Sequence, residues 1–498
     1  MVFIPHYLKK ERGKPFVPTW LGEADRPSSL GTDSFPPLEE TGTSPLLLKG
    51  GVCVVPYEGL LPMDIRIEEG RILEIGEDLP EAGARIVPVR GKYVIPGILD
   101  PHVHLGIYAE FQDELATETR SAVLNGVTTI GLYVNSEESY LPMLEDTIRR
   151  IGEISLCDVF IHLAIFNRKQ LEEIPLYHSR FGVTSFKTWM CGIPGLIPDA
   201  EDDFLMDLME TVASLGKGAV LNIHAENHRV VARATEKLKR KDPSSRSLST
   251  WEESHPGFGE AEAVERAARL SDESGARIYF VHLSSKEAVQ SAASLKHRRK
   301  NLYFETTSPY LTLCLEQDLN LLYKMSPPIR KREDQDALWE GLREGTLDTI
   351  GTDHTPMTRE QKGAAPDVWG TPPGYPALGT HLPSLLHEAG KRNFPLERLI
   401  EKMTAEPAKV FGLFPRKGTL LPGSDADLVI VDPLLEKAVT HQAAASRADY
   451  ALHEGKRLTG WPVAIIKSGR ILDPVQGSQG VMRKIGRYLE RGVDGDMG

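Results

Sequence analysis

From residue 97 onward the chain alternates between two textures. Short apolar, β-branched runs recur: 97–104, VTTIGLYV at 127–134, DVFIHLAIF at 158–166, VTSFKTWM at 183–190, AVLNIHA at 219–225, RIYFVHL at 277–283, NLYFETT at 301–307 and DTIGTDH at 348–354. Each has the length and composition of a strand. Between them lie stretches such as EDDFLMDLMETVASLG and GEAEAVERAARLSDESG, with apolar residues near the 3.6-residue period of a helix. Eight strand–helix alternations over about 315 residues predict an α/β fold, a (β/α)8 TIM barrel spanning 97–411.

The flanks have another rhythm. Residues 46–96 carry short alternating pieces (LLLKGGVCVV, MDIRIEEGRILEIG, RIVPVRGKYVI) broken by glycines and acidic turns, and the texture returns in GTLLPGSDADLVIVDP and WPVAIIKSGRIL within 412–475. These predict one small β-sandwich domain formed from both flanks. Residues 1–45, rich in Pro, Gly, Ser and Thr, are expected as an irregular arm, and 476–498 as a tail.

Composition narrows the class. With 498 residues, 41% hydrophobic and 26% charged, the chain suits a soluble globular protein with a large core. A net charge of −12 argues against a nucleic-acid partner, and the dense basic run Lys296–Lys300 reads as a solvated helix end. Cys53, Cys157, Cys191 and Cys314 show no CxxC spacing and read as reduced thiols. No apolar run reaches the roughly 20 residues of a membrane span, and the N-terminus lacks a signal pattern. A cytoplasmic location is the expectation.

Chemistry collects where a barrel places its active site, at the C-terminal ends of the strands. In GILDPHVHLG (97–106), His102 and His104 are two apart, so an extended strand projects both imidazoles to one side. They are either a metal clamp or two loop histidines. The other strand ends decide between these: Lys187 in the fourth run, His224 ending the fifth, His282 ending the sixth and Asp353-His354 ending the eighth. Convergence of this many metal-capable groups on one mouth is hard to ascribe to packing. His162, alone in the third run, reads as a satisfied core histidine. Lys187 in an apolar strand has its ammonium disfavoured by burial. Either it snorkels or pairs with Asp353, or it is a neutral amine that takes up carbon dioxide as a carbamate.

The motifs DPHVHLG, SFKTWM, IHAEN, VHLSS, MSPPIR, GTDHTP and TAEPAKVFGLFPRKGTLLPGSDADLVIVDP, across roughly 46–475, resemble the cyclic-amide branch of the amidohydrolase superfamily: dihydropyrimidinases (hydantoinases), allantoinases and dihydroorotases. The resemblance implies two divalent metal ions, zinc most often. It assigns His102 and His104 to the first metal, carboxylated Lys187 to the bridge, His224 and His282 to the second metal, and Asp353 to the first metal and to general-base catalysis. It implies a metal-bridging hydroxide attacking the ring carbonyl. Ser326, in Met325-Ser326-Pro327-Pro328, matches a serine that contacts the ring amide. The branch is often tetrameric, sometimes dimeric.

The match breaks at the substrate. Where dihydropyrimidinases carry an oxyanion-steadying tyrosine, five residues after the lysine, this chain has Gly192. His104-Leu105-Gly106 lacks the arginine of dihydroorotases. Thr307-Ser308-Pro309-Tyr310 replaces Cys-Pro-His/Gln-Tyr, and Pro373-Gly374-Tyr375-Pro376 replaces Asn-Gly-x-Pro-Gly. Gly374 and Tyr375 are candidate substrate contacts, Tyr375 either supplying the missing phenol or packing against the mouth. The expected function is metal-dependent opening of a cyclic amide, imide or ureide ring, as in hydantoinases. The alternatives are allantoinase-like ureide hydrolysis and a non-catalytic scaffold of dihydropyrimidinase type, against which stands the intact set of metal-ligand positions.

Overall fold

The computed structural model describes residues 45–474 and 484–491; the expected N-terminal arm lies, up to residue 44, outside the described residues. Five strands come first: β1 (Leu46–Val55), β2 (Gly59–Glu68), β3 (Arg71–Gly76), β4 (Arg85–Pro88) and β5 (Tyr93–Pro96). Eight barrel strands follow: β6 (Ile98–His104), β7 (Val127–Val134), β8 (Asp158–Ala164), β9 (Ser185–Trp189), β10 (Val220–His224), β11 (Ile278–Phe280), β12 (Leu302–Thr307) and β13 (Thr349–Gly351). Three close the chain's order: β14 (Leu428–Ala438), β15 (Arg457–Lys467) and β16 (Arg470–Leu472).

The strands β6 to β13 pair in sequence order, all parallel, and each falls on one of the eight apolar runs. A parallel bridge between Val103 and His354, with His104 N–H donating to the His354 carbonyl at 2.8 Å, joins the last strand to the first. The fold is therefore the expected (β/α)8 barrel. Helices follow from local signals. The helix Arg168–Phe181, for example, starts where Asn167 accepts from the Gln170 N–H and stops at Gly182 in the left-handed conformation (φ 62°).

Besides the single bridge that closes it, the barrel ladder is thin between β8 and β9. β8 and β9 pair only at Leu163–Phe186 and Ala164–Lys187. Below that point their backbones take another partner, residues 486–491. Val159 N–H donates to the Arg487 carbonyl (2.9 Å), Leu489 N–H to Val159 (2.8 Å) and Arg491 N–H to Gly182 (3.0 Å). Buried backbone groups demand such partners. The described part of the region expected as a tail is thus built into the barrel wall. Leu489 joins Leu99, Phe160, Val220, Tyr279 and Phe411 in the packed layer of the barrel floor.

The flanking strands make one second sheet, ordered β16-β15-β14-β5-β1-β2-β3 with β4 beside β1. Side chains from both flanks, among them Leu48, Ile65, Ile75, Val94, Leu428, Ile430 and Ile466, share one core, so the sheet folds over itself as a small sandwich. At its junction with the barrel floor, Lys417 bonds Asp158 and Asp427, and Lys467 reaches Asp158 (3.0 Å) and Asp427 (3.1 Å). Among the described residues no helix is long and apolar enough to cross a membrane.

Candidate active site

At the barrel's C-terminal mouth the chain gathers His102, His104, Lys187, His224, His282 and Asp353, all buried. The Asp353 Oδ1 lies 3.1 Å from His102 Nε2 and 3.3 Å from His104 Nε2, and the two Nε2 atoms are 3.3 Å apart. These three ligand atoms lie close enough together to hold a metal ion. Nearby, His224 Nδ1 and His282 Nε2 stand 3.0 Å apart. His282 (φ 43°) and Asp353 (φ 54°) both adopt left-handed backbone conformations, a strained geometry for residues other than glycine.

Two carboxylates not anticipated from the sequence orient the imidazoles. Glu305 Oε2 accepts from His102 Nδ1 (2.8 Å) and from the His282 N–H (2.9 Å). Glu226 Oε2 accepts from His224 Nε2 (2.8 Å). Each bond fixes the tautomer, leaving His102 Nε2 and His224 Nδ1 with lone pairs facing the site. Asp100 braces the loop ends: its Oδ1 takes the N–H groups of His102 and Thr352 (both 3.1 Å), and its Oδ2 the Thr352 hydroxyl (2.6 Å). His354 turns away from the mouth, facing Glu118 at 3.0 Å.

Burial dominates the electrostatics of most of these groups. Burial lowers Lys187 to about 7. Among the described residues its Nζ has no hydrogen-bond partner, and it lies 5.2 Å from the Tyr133 ring centroid and 4.9 Å from that of Trp189. Burial holds His102 and His282 well below the usual imidazole range, so both are neutral and able to donate a lone pair. Burial also pushes Asp100 and Glu305 up to about 8. Asp353 goes the other way: against the opposing effect of burial, the groups facing it, a hydrogen bond from His104 among them, hold its carboxyl below the ordinary value. Among the described residues His104 Nδ1 and His282 Nδ1 are buried without partners. The Nε2 atoms of His102, His104 and His282, Nδ1 of His224 and the Asp353 carboxylate face one another, and imidazole nitrogens with a carboxylate are a donor set that suits a divalent metal.

A cavity of about 540 Å³, counted with its opening, lies above these groups, walled by Ile107, Tyr108, Asn135, Trp189, Ile193 and Leu196 on one side and Met325, Ser326 and Pro373 on another. Ser326 is among the lining residues. Gly374 and Tyr375 are not: Pro373 is the wall residue. Tyr375 is held back because its carbonyl accepts the Thr355 N–H (3.0 Å) and its ring sits in the main apolar core, with Thr307 as polar neighbour. At Gly192 an added Cβ would stand 2.1 Å from the Ile197 carbonyl oxygen, so the loop 193–198 occupies the space a larger side chain would need.

The family model described as the amidohydrolase family matches residues 93–472. The chain is 31% identical over 465 residues to the D-hydantoinase of Geobacillus stearothermophilus, covering 89% of this chain and 96% of that protein. It is 29% identical to the L-hydantoinase of Paenarthrobacter aurescens over 88% of this chain and 96% of that one. Among solved structures, a dihydropyrimidinase from Brevibacillus agri superposes with a TM-score of 0.82 at 28% identity, covering 90% of this chain and 98% of that one. The barrel, the site and these matches define a hydrolase-type (β/α)8 chain. It belongs to the amidohydrolase family.

Proposed function

We propose that this chain is a metal-dependent hydrolase that opens a cyclic amide, imide or ureide ring, as the names of its hydantoinase and dihydropyrimidinase relatives suggest. The observation that carries the reading is the convergence of His102, His104, Lys187, His224, His282 and Asp353 on one cavity floor, with Lys187 Nζ buried and unpartnered among the described residues. His102, His104 and Asp353 would hold one divalent metal and His224 and His282 a second, with a carbamate on Lys187 as the shared ligand; zinc is the proposed metal. When bound, the metals supply Lewis-acid activation of the carbonyl and a nucleophile at neutral pH.

The chain's own groups do the rest. Asp353, ionised at neutral pH, takes the nucleophile's proton on a carboxylate oxygen and returns it to the departing ring nitrogen. Glu305 and Glu226 keep the imidazoles in the required tautomer. Ser326 contacts the ring amide from the wall. Trp189, Ile193 and Leu196 give the cavity an apolar wall. The packing at Gly192 favours allantoinase-like ureide hydrolysis as the second reading, because no phenol fits there. We extend the proposal to a cytoplasmic homo-oligomer, tetramer or dimer, which light scattering tests.

The deciding experiment measures metal per chain on protein purified without chelator, then turnover on dihydrouracil, hydantoins, allantoin, succinimide-type imides and simple lactams. About two metals per chain with opening of one ring class supports the proposal and chooses between its two forms. Absence of metal after reconstitution with bicarbonate overturns it.

A further inference from the structure

His162 belongs to none of the groups above, yet it is the centre of a column that links the barrel floor to the histidine pair. Its Nε2 lies 3.1 Å from the Pro101 carbonyl, which can only accept, so Nε2 carries the proton and donates. Nδ1 is then an acceptor. It takes the Ser185 hydroxyl (2.7 Å) and the Asn222 Nδ2 (2.9 Å). The Ser185 oxygen in turn accepts from the Arg491 guanidinium (2.9 Å), which also donates to the Ile161 carbonyl (2.6 Å) and lies over the Phe160 ring. Donation therefore runs one way, from Arg491 through Ser185 and His162 to the carbonyl of Pro101, the residue immediately before His102.

Two further observations tie this column to the site. His162 sits on β8 and Pro101 on β6, so the bond must cross β7. It does so at Gly131, where an added Cβ would stand 2.6 Å from His162 Nε2 and 2.7 Å from the Pro101 oxygen. The His162 ring is also stacked on Tyr133 (centroids 4.4 Å apart, planes at 21°), and Tyr133 packs against His102 (4.6 Å) and His104 (5.1 Å). One imidazole thus sets both the peptide that carries His102 and the ring against which the histidine pair rests. The β6 register is irregular at this point, between Asp100 and Val103, so the ladder with β7 does not fix that peptide by itself.

We propose that His162 is a positioning residue of the metal site, braced from below by Ser185 and by Arg491 of the C-terminal segment. The proposal rests on the metal-site reading above. Losing such a bond to a ligand-bearing element typically costs about 10–100-fold in metal affinity.

The test uses the full chain and three variants. His162→Phe keeps an aromatic ring against Tyr133 but removes both hydrogen bonds. Ser185→Ala removes the middle hydroxyl with little change in packing. His162→Gln offers a donor and an acceptor on one side chain. Each is loaded with cobalt(II). Two readouts apply, metal loss to a competing chelator and the visible absorption of the bound cobalt, beside the thermal midpoint. The expected result is about 10–100-fold weaker metal retention and an altered cobalt spectrum in His162→Phe. A smaller change of the same sign is expected in Ser185→Ala, with partial recovery in His162→Gln. Wild-type retention and spectrum in a folded His162→Phe overturn the proposal. Should that variant fail to fold, wild-type behaviour of Ser185→Ala overturns it. A wild-type chain that binds no cobalt defeats the metal-site reading instead.

Discussion

The two ends of the barrel both bury charge, and they treat it in opposite ways. On the floor, Lys417 and Lys467 lie among Asp158, Asp425 and Asp427, so every charge has an opposite neighbour. Against the opposing effect of burial, the lysines hold the Asp427 carboxyl below its ordinary range, and the aspartates hold the Lys417 amine above its own. At the mouth the directions reverse for three groups, while Asp353 and Glu226 stay below their ordinary values. Burial wins over partners: Lys187 falls to about 7, and Asp100 and Glu305 rise to about 8. A structural ion cluster completes itself. A site that is to take a cation or a substrate leaves nitrogens unpaired and charges suppressed.

The comparison breaks hardest at Lys187. Lys187→Ala should lose the shared metal ligand, and several kcal/mol of transition-state stabilisation corresponds to a rate loss on the order of a thousandfold. Turnover together with metal per chain checks it; full rate with full metal would remove the carbamate assignment. On the floor, Lys417→Met should leave the metal content of folded protein intact but cost about 3–5 kcal/mol of stability, because Asp158 and Asp427 each lose a partner. Urea unfolding measures this.

The same cluster gives a pH signature. The folded-state value of Asp427 lies below its ordinary value of 3.8, so its stabilisation is present above that value and lost as pH falls through the folded one. Urea midpoints should hold between pH 7 and 5 and drop below about 4, with a shallower drop in Asp427→Asn. Lys187 carries the opposite sign. Its folded value, about 7, lies below the ordinary 10.5, so burying the amine costs stability below 10.5, and the cost is complete below about 7. In metal-free protein Lys187→Met should therefore raise the unfolding free energy at neutral pH, by on the order of 1–3 kcal/mol, where Lys417→Met lowers it. The smallest effect is expected at Ser326→Ala. One lost hydrogen bond of about 1 kcal/mol should raise KM several-fold with kcat nearly unchanged, read from initial rates.

The barrel was legible because its strands are buried apolar runs, and the polar groups at their ends stood out against that background. Glu305 and Glu226 did not stand out. One carboxylate in a strand or loop looks the same whether it meets solvent or a histidine 203 residues away, as Glu305 does. His162 read as a core histidine because its role depends on Gly131 leaving a passage through β7, a relation between three strands that no periodicity records. Tyr375 carried a motif position but not its orientation, which the Thr355 N–H and the surrounding core decide. The segment 486–491 is too short and too polar to announce itself as a strand partner.

That segment has a consequence for biosynthesis. The chain between Ile161 and Arg491 spans 330 residues, and β8 cannot complete its lower hydrogen bonds until the far end has emerged. At about 5–20 residues per second, a ribosome needs roughly 15–70 s to make that stretch. Throughout that interval the nascent barrel has an open seam beside Phe160, with unpaired backbone at Val159. The half-made protein thus presents a chaperone-sized target that the finished one has sealed.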